Sequence, residues 1–145
     1  MKLFTIGSNG KSLRRFSELI KTAGVDCIID VRLNNTSQLA GYAKRDDLEF
    51  VLGLLKIAYE HHPELAPDEE LFLDFRKNKN WDEYLMRFNE LIDERDMLSI
   101  GKDIVVRFNR PCLLCSEDDA LKCHRRLVAE HWSEHIPDIE IEHLI

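Results

Sequence analysis

The sequence predicts an α/β fold of three layers, a mainly parallel sheet with helices on both faces, and three observations predict it. Short apolar runs at residues 2–6, 25–31 and 111–115 have strand length, and the stretches between them repeat their apolar residues at helical spacing. The core of the second run, Cys27-Ile28-Ile29, is continuous rather than alternating, as in a strand covered on both faces. Strands that alternate with helices are joined by right-handed crossovers, which makes the sheet mainly parallel.

The first strand, residues 2–6, breaks at the polar turn Gly7-Ser8-Asn9-Gly10. In the helix that follows, Leu13, Phe16, Leu19, Ile20 and Ala23 make one apolar stripe, and Gly24 closes it just past the last periodic residue. Residues 25–31 return as the second strand. Residues 32–45 are too polar for a core and long enough to lie over a site. A helix over 46–55 turns Leu48, Val51, Leu52 and Leu55 inward, and residues 57–62 make a third strand, ended by Pro63. Residues 64–79 read as an irregular or short helical excursion, with 71–75 left open between core, lid and dimer contact. Asn80 caps a longer helix to about residue 95, striped by Trp81, Leu85, Phe88, Leu91 and Ile92. Residues 104–107 fit a strand or a helix end equally well. A buried strand over 111–115 leads through a polar loop with Glu117, Asp118 and Asp119 into a helix whose first turns hold Cys123, His124, Arg125 and Arg126. Residues 139–145 supply the last strand.

At 145 residues and 44% hydrophobic, the chain has apolar material for a single domain over 1–145. Its net charge of -7 argues against non-specific binding to nucleic acid or an anionic membrane, since both draw affinity from clustered positive charge. No run approaches membrane-spanning length, and the start, Met-Lys-Leu-Phe-Thr-Ile-Gly, has no long apolar stretch. A cytoplasmic location is therefore expected, with Cys27, Cys112, Cys115 and Cys123 mostly free thiols. Self-association as a homo-oligomer is left open.

Ligands of a parallel sheet bind beyond the carboxyl ends of its strands. There the sequence places Gly7 and Ser8 after the first strand, Asp30 and Arg32 after the second, His62 after the third, and Cys115 and Glu117 after the fourth, with Cys123, His124 and Arg125 just beyond. This gathering on one edge predicts one site. Cys115 is the candidate nucleophile, a thiolate that His124, Arg125 and a helix N-terminus would stabilise. Glu117, His124 and Asp30 are candidates for proton transfer. Gly7, Ser8, Arg32 and Arg125 would hold a small anionic ligand, the guanidinium forks matching phosphate or carboxylate. Tyr42 would cover a bound ring, and His62 and Cys123 complete the ligand-binding set.

Structural roles compete with each of these. Cys115 can be a packed thiol, Arg32 and Arg125 can be partners of Asp30 or Glu117, His124 can anchor the loop, and Tyr42 can pack on its own scaffold. No metal and no cofactor is expected, because adjacent Cys123 and His124 should point apart on a helix and the spacing fits no common zinc pattern. The phosphatase loop of Cys, five residues and Arg is absent, Leu121 standing at the arginine position counted from Cys115. A Cys115–Cys123 disulfide is left to geometry.

Four pieces in order, Thr5-Ile6-Gly7, Asp30-Val31-Arg32, Tyr59-x-x-His62-Pro63-Glu64-Leu65, and Leu114-Cys115-x-Glu117 leading to Cys123-His124-Arg125-Arg126, resemble the domain of unknown function 488 family. The resemblance runs from Thr5 to about His143, and the block ending in Cys-His-Arg is its most specific part. It implies a small cytoplasmic α/β protein and no particular activity. Two functions fit the residues. One is an enzyme acting on a small phosphorylated or nucleotide-like substrate at the carboxyl edge of the sheet. The other is a non-catalytic binding module for a nucleotide, a modified base or a partner protein. The enzyme reading is preferred.

Overall fold

The computed structural model describes residues 1–36 and 39–145. Within them the strands are β1 (Lys2–Gly7), β2 (Cys27–Asp30), β3 (Ala58–His61), β4 (Pro111–Cys115) and β5 (Glu140–Leu144), all parallel, in the spatial order β3-β2-β4-β1-β5. The helices are α1 (Leu13–Thr22), α2 (Arg45–Leu54), α3 (Glu69–Asn78), α4 (Trp81–Glu94), α5 (Met97–Arg107) and α6 (His124–His135). Phe16, Ile20, Leu48 and Leu52 of α1 and α2 pack on Phe4, Ile6, Ile28, Cys112 and Leu114 on one face. Helices α3 to α6 cover Leu3, Cys27, Ile29, Leu113 and Cys115 on the other. The three-layer α/β fold follows directly from strands whose alternate residues are apolar in both directions.

Two stretches come out differently from their sequence reading. Residues 64–79 contain a full helix, α3, whose N-cap Asp68 accepts the Leu71 backbone N–H at 2.8 Å. Of its apolar residues Leu71 is core, Phe75 packs partly against it, and Phe72 and Leu73 face outward. The thin apolar stripe, one buried residue in ten, hid its period. Residues 104–107 are the last turn of α5, in which Met97, Gly101 and Ile104 are the buried positions. The glycine broke the pattern there for a packing reason.

Gly101 lets the indole of Trp132 lie flat on α5. A Cβ at this position would stand 2.6 Å from the ring. Trp132 is fully buried and its Nε1 donates to the Met97 carbonyl at 2.9 Å, so the ring has nowhere to go. Gly101→Ala is therefore expected to cost about 1–3 kcal/mol by overpacking, despite alanine's better helix propensity. Urea unfolding reads the difference, and an unchanged or higher midpoint would contradict this packing.

Candidate thiol site at the carboxyl edge

The carboxyl ends are level: Gly7 stands opposite Cys115, and Asp30 opposite both Leu114 and His61. Successive strand side chains alternate between faces. Cys115 continues Leu113 toward α4 and α6, whereas Asp30 continues Ile28 toward α2. The residues expected to form one site therefore divide into two clusters, back to back through the sheet.

On the α2 side, Asp30 accepts from Arg32 Nε at 2.8 Å and Nη2 at 2.7 Å, from the Arg32 backbone N–H at 3.1 Å, and from the Tyr59 hydroxyl at 2.6 Å. Asn35 Nδ2 donates to the same carboxylate at 3.3 Å. Arg32 Nη1 donates to the Ala43 carbonyl at 2.7 Å. Burial alone would raise the Asp30 carboxyl, but the Arg32 guanidinium outweighs it and holds the group below the usual carboxylate range. This is a buried ion pair, in which the Arg32 guanidinium and the Asp30 carboxylate engage each other. Tyr42 packs its ring 5.5 Å from that of Phe16 and donates its hydroxyl to the Ser8 carbonyl at 3.0 Å, so it fastens its loop to the end of β1. The Ser8 hydroxyl is buried and has no partner among the described residues. His62 sits between Glu64 at 2.7 Å and Glu60 at 2.8 Å, engaged within the chain.

On the α4–α6 side, His124 Nε2 lies 2.7 Å from the Val31 carbonyl. A carbonyl only accepts, so Nε2 carries the hydrogen and Nδ1 is left to face sulfur. Nδ1 is 3.9 Å from Cys115 Sγ and 3.9 Å from Cys123 Sγ. The three atoms lie within 4.8 Å of one another, and their residues are 6%, 3% and 7% exposed. Cys123 is the N-cap of α6, with extended φ -134 and ψ 142, so its side chain does not follow helical directions. That corrects the expectation that Cys123 and His124 point apart. Such a set could hold a soft tetrahedral cation with one position open. Phe88, its ring 5.8 Å from that of His124, forms an apolar wall with Tyr84.

The electrostatics of the cluster are asymmetric. The neighbouring Cys123 thiol, opposed by burial and helped by His124 and the Glu117 backbone N–H, holds the Cys115 thiol well below the ordinary range. Burial pushes Cys123 up instead. Burial would lower His124, but the charge on Cys115 prevails and raises it. These directions favour negative charge on Cys115 over Cys123 and positive charge on His124. The other cysteines are ordinary packed thiols, Cys27 pushed up to about 12 by burial and Cys112 raised for the same reason. Cys112 and Cys115 stand at Cys-x-x-Cys spacing, but residues three apart in a strand face opposite sides.

Arg125 is fully committed to the loop between β4 and α6. Its Nε donates to Thr5 Oγ1 at 3.2 Å, Nη2 to the Asp118 carbonyl at 3.0 Å, and Nη1 to the Glu117 carbonyl and, at 3.7 Å, to Cys123 Sγ. Glu117 contributes its backbone, while its side chain is exposed. Gly7 is a matter of space, since a Cβ there would stand 1.7 Å from the Glu117 carbonyl oxygen. Sequence reasoning missed the Val31 carbonyl, which no side-chain pattern reveals, and His143, which lies 2.6 Å from the Thr5 hydroxyl. Arg125, Arg126 and His143 border a cleft of about 280 Å³ on this edge.

The model of one protein family, the domain of unknown function DUF488, matches residues 12–132. The match holds β2, β3, β4 and the Cys115–His124 cluster, but not Thr5-Ile6-Gly7, β5 or His143. No curated protein and no solved structure matches the chain. No helix among the described residues is long and apolar enough to cross a membrane.

Proposed function

We propose, for a chain that belongs to the family of the domain of unknown function DUF488, a thiol-dependent enzyme with Cys115 as nucleophile and His124 as its proton carrier. One observation carries this reading: the imidazole is locked by Val31 at 2.7 Å through one nitrogen and offers the other to Cys115 Sγ at 3.9 Å. A nucleophile beside a base that a third group orients is the arrangement covalent catalysis needs. The thiolate attacks an electrophilic atom of a small substrate, and His124 Nδ1–H gives its proton to the leaving group. The substrate is small because Cys115 is only 6% exposed. Thiol chemistry is favoured over phosphoryl binding because the Arg32 and Arg125 guanidiniums are engaged inside the chain. In a reducing cytoplasm both thiols stay free.

The test is alkylation by iodoacetamide at about pH 6, where an ordinary thiol is almost wholly protonated. Peptide mapping should find Cys115 labelled at least tenfold faster than Cys27 or Cys112. Labelling of Cys115 no faster than those two would remove the proposed nucleophile.

A further inference from the structure

We infer that Cys123 is the second reacting thiol of this site and that its substrate is a small-molecule disulfide, which the protein reduces by forming a Cys115–Cys123 bond. The inference rests on the reading of Cys115 as nucleophile. It is carried by the position of His124 Nδ1, 3.9 Å from each sulfur. A base that stands equally close to two sulfurs can serve both in succession.

The steps balance as follows. The Cys115 thiolate attacks one sulfur of the substrate, forming a mixed disulfide and breaking the substrate's S–S bond, and the departing thiolate takes the proton held on His124 Nδ1. His124 is then neutral, and its Nδ1 lone pair takes the proton of the Cys123 thiol. The Cys123 thiolate attacks Cys115 Sγ, closing the internal disulfide and expelling the second half of the substrate, which is protonated from His124. One disulfide has become two thiols, and one dithiol has become a disulfide. A low-molecular-weight thiol reductant returns the protein to its starting state by the same exchange run in reverse.

The surroundings favour a disulfide over a peroxide. Exchange passes charge from one soft sulfur to another and asks for no strong donor to a hard leaving oxygen. The walls here are Tyr84, Phe88 and Val31, and the nearby Arg125 is already bonded to two carbonyls. Closure needs the sulfurs to move from their present separation, within 4.8 Å, to bonding distance. Cys123 lies at the N-cap of α6 with an extended backbone, so its side chain is not fixed in a helical direction.

Reduced full-length protein is mixed with 2-hydroxyethyl disulfide, quenched with acid and N-ethylmaleimide, and mapped by mass spectrometry. Wild type should lose two maleimide-reactive thiols without keeping an adduct, and yield a linked Cys115–Cys123 peptide. Cys123→Ser, and Cys123→Ala as a second version, should trap a stable adduct on Cys115. Cys115→Ser should give neither, with melting temperatures confirming that all three variants fold. A wild type that keeps an adduct on Cys115 and never forms the internal bond would overturn the inference while leaving the nucleophile intact. A Cys115→Ser variant that reacts as fast as wild type would overturn the nucleophile itself. Protein isolated with one bound zinc per chain, released only when these residues are changed, would assign the three atoms to a metal and end the disulfide proposal.

Discussion

At about pH 6, His124→Gln is expected to slow alkylation of Cys115 several-fold, because it removes the positive charge that helps to hold the thiol down while the Cys123 hydrogen bond stays in place. Glutamine can still donate to the Val31 carbonyl, so the variant removes the charge while keeping an anchor for the loop. In wild type the pair is broken from both sides: acid protonates Cys115, and base removes the proton of His124. The rate profile of wild type should therefore reach its plateau at lower pH than that of the variant, in line with a Cys115 thiol held down and a His124 held up. The higher intrinsic nucleophilicity of the more basic thiol in His124→Gln offsets part of the loss at every pH. Two superimposable profiles would mean that His124 only anchors the loop.

The sheet was legible because it depends on continuous apolar runs, and those runs point both ways. Pro111–Cys115 and Cys27–Asp30 bury every residue, as their apolar members demand and as the Arg32 partner allows for Asp30. Helix α3 was not legible, since its one buried residue in ten leaves no stripe to count. The carboxyl edge was located for a topological reason: in a parallel sheet all such ends fall on one side. What the edge argument lacked was the face. Asp30 and Cys115 both end strands, yet one pleat position decides that Asp30 faces α2 and Cys115 faces α6. Two hydrophobic faces of equal strength give no way to choose between them from composition. The convergence of Cys123 with His124 depends on a helix beginning one residue later than the motif suggests, and cap positions are the least readable part of a helix.

Arg32→Met is expected to cost about 3–5 kcal/mol at neutral pH, since it leaves the Asp30 carboxylate buried without its cation. Asp30 is fully buried and the Arg32 side chain is 2% exposed, so water cannot replace the lost partner. The sign of the pH dependence identifies the cause. In wild type the Asp30 carboxyl is lowered on folding, so its contribution is complete above the unfolded value of about 3.9 and is lost as pH falls through the folded value. In Arg32→Met burial acts unopposed and raises the same carboxyl, so the variant is penalised above that raised value and relieved as pH falls through it. The stability gap between the two proteins should thus be widest near neutrality and narrow toward about pH 4. Asp30→Asn combined with Arg32→Met removes the charge altogether and should recover much of the loss, leaving the cost of the Tyr59 and Asn35 hydrogen bonds that Asp30 accepts. Denaturant unfolding at three pH values tests this directly, and a gap that is constant or grows on acidification would show that Arg32 contributes packing rather than charge.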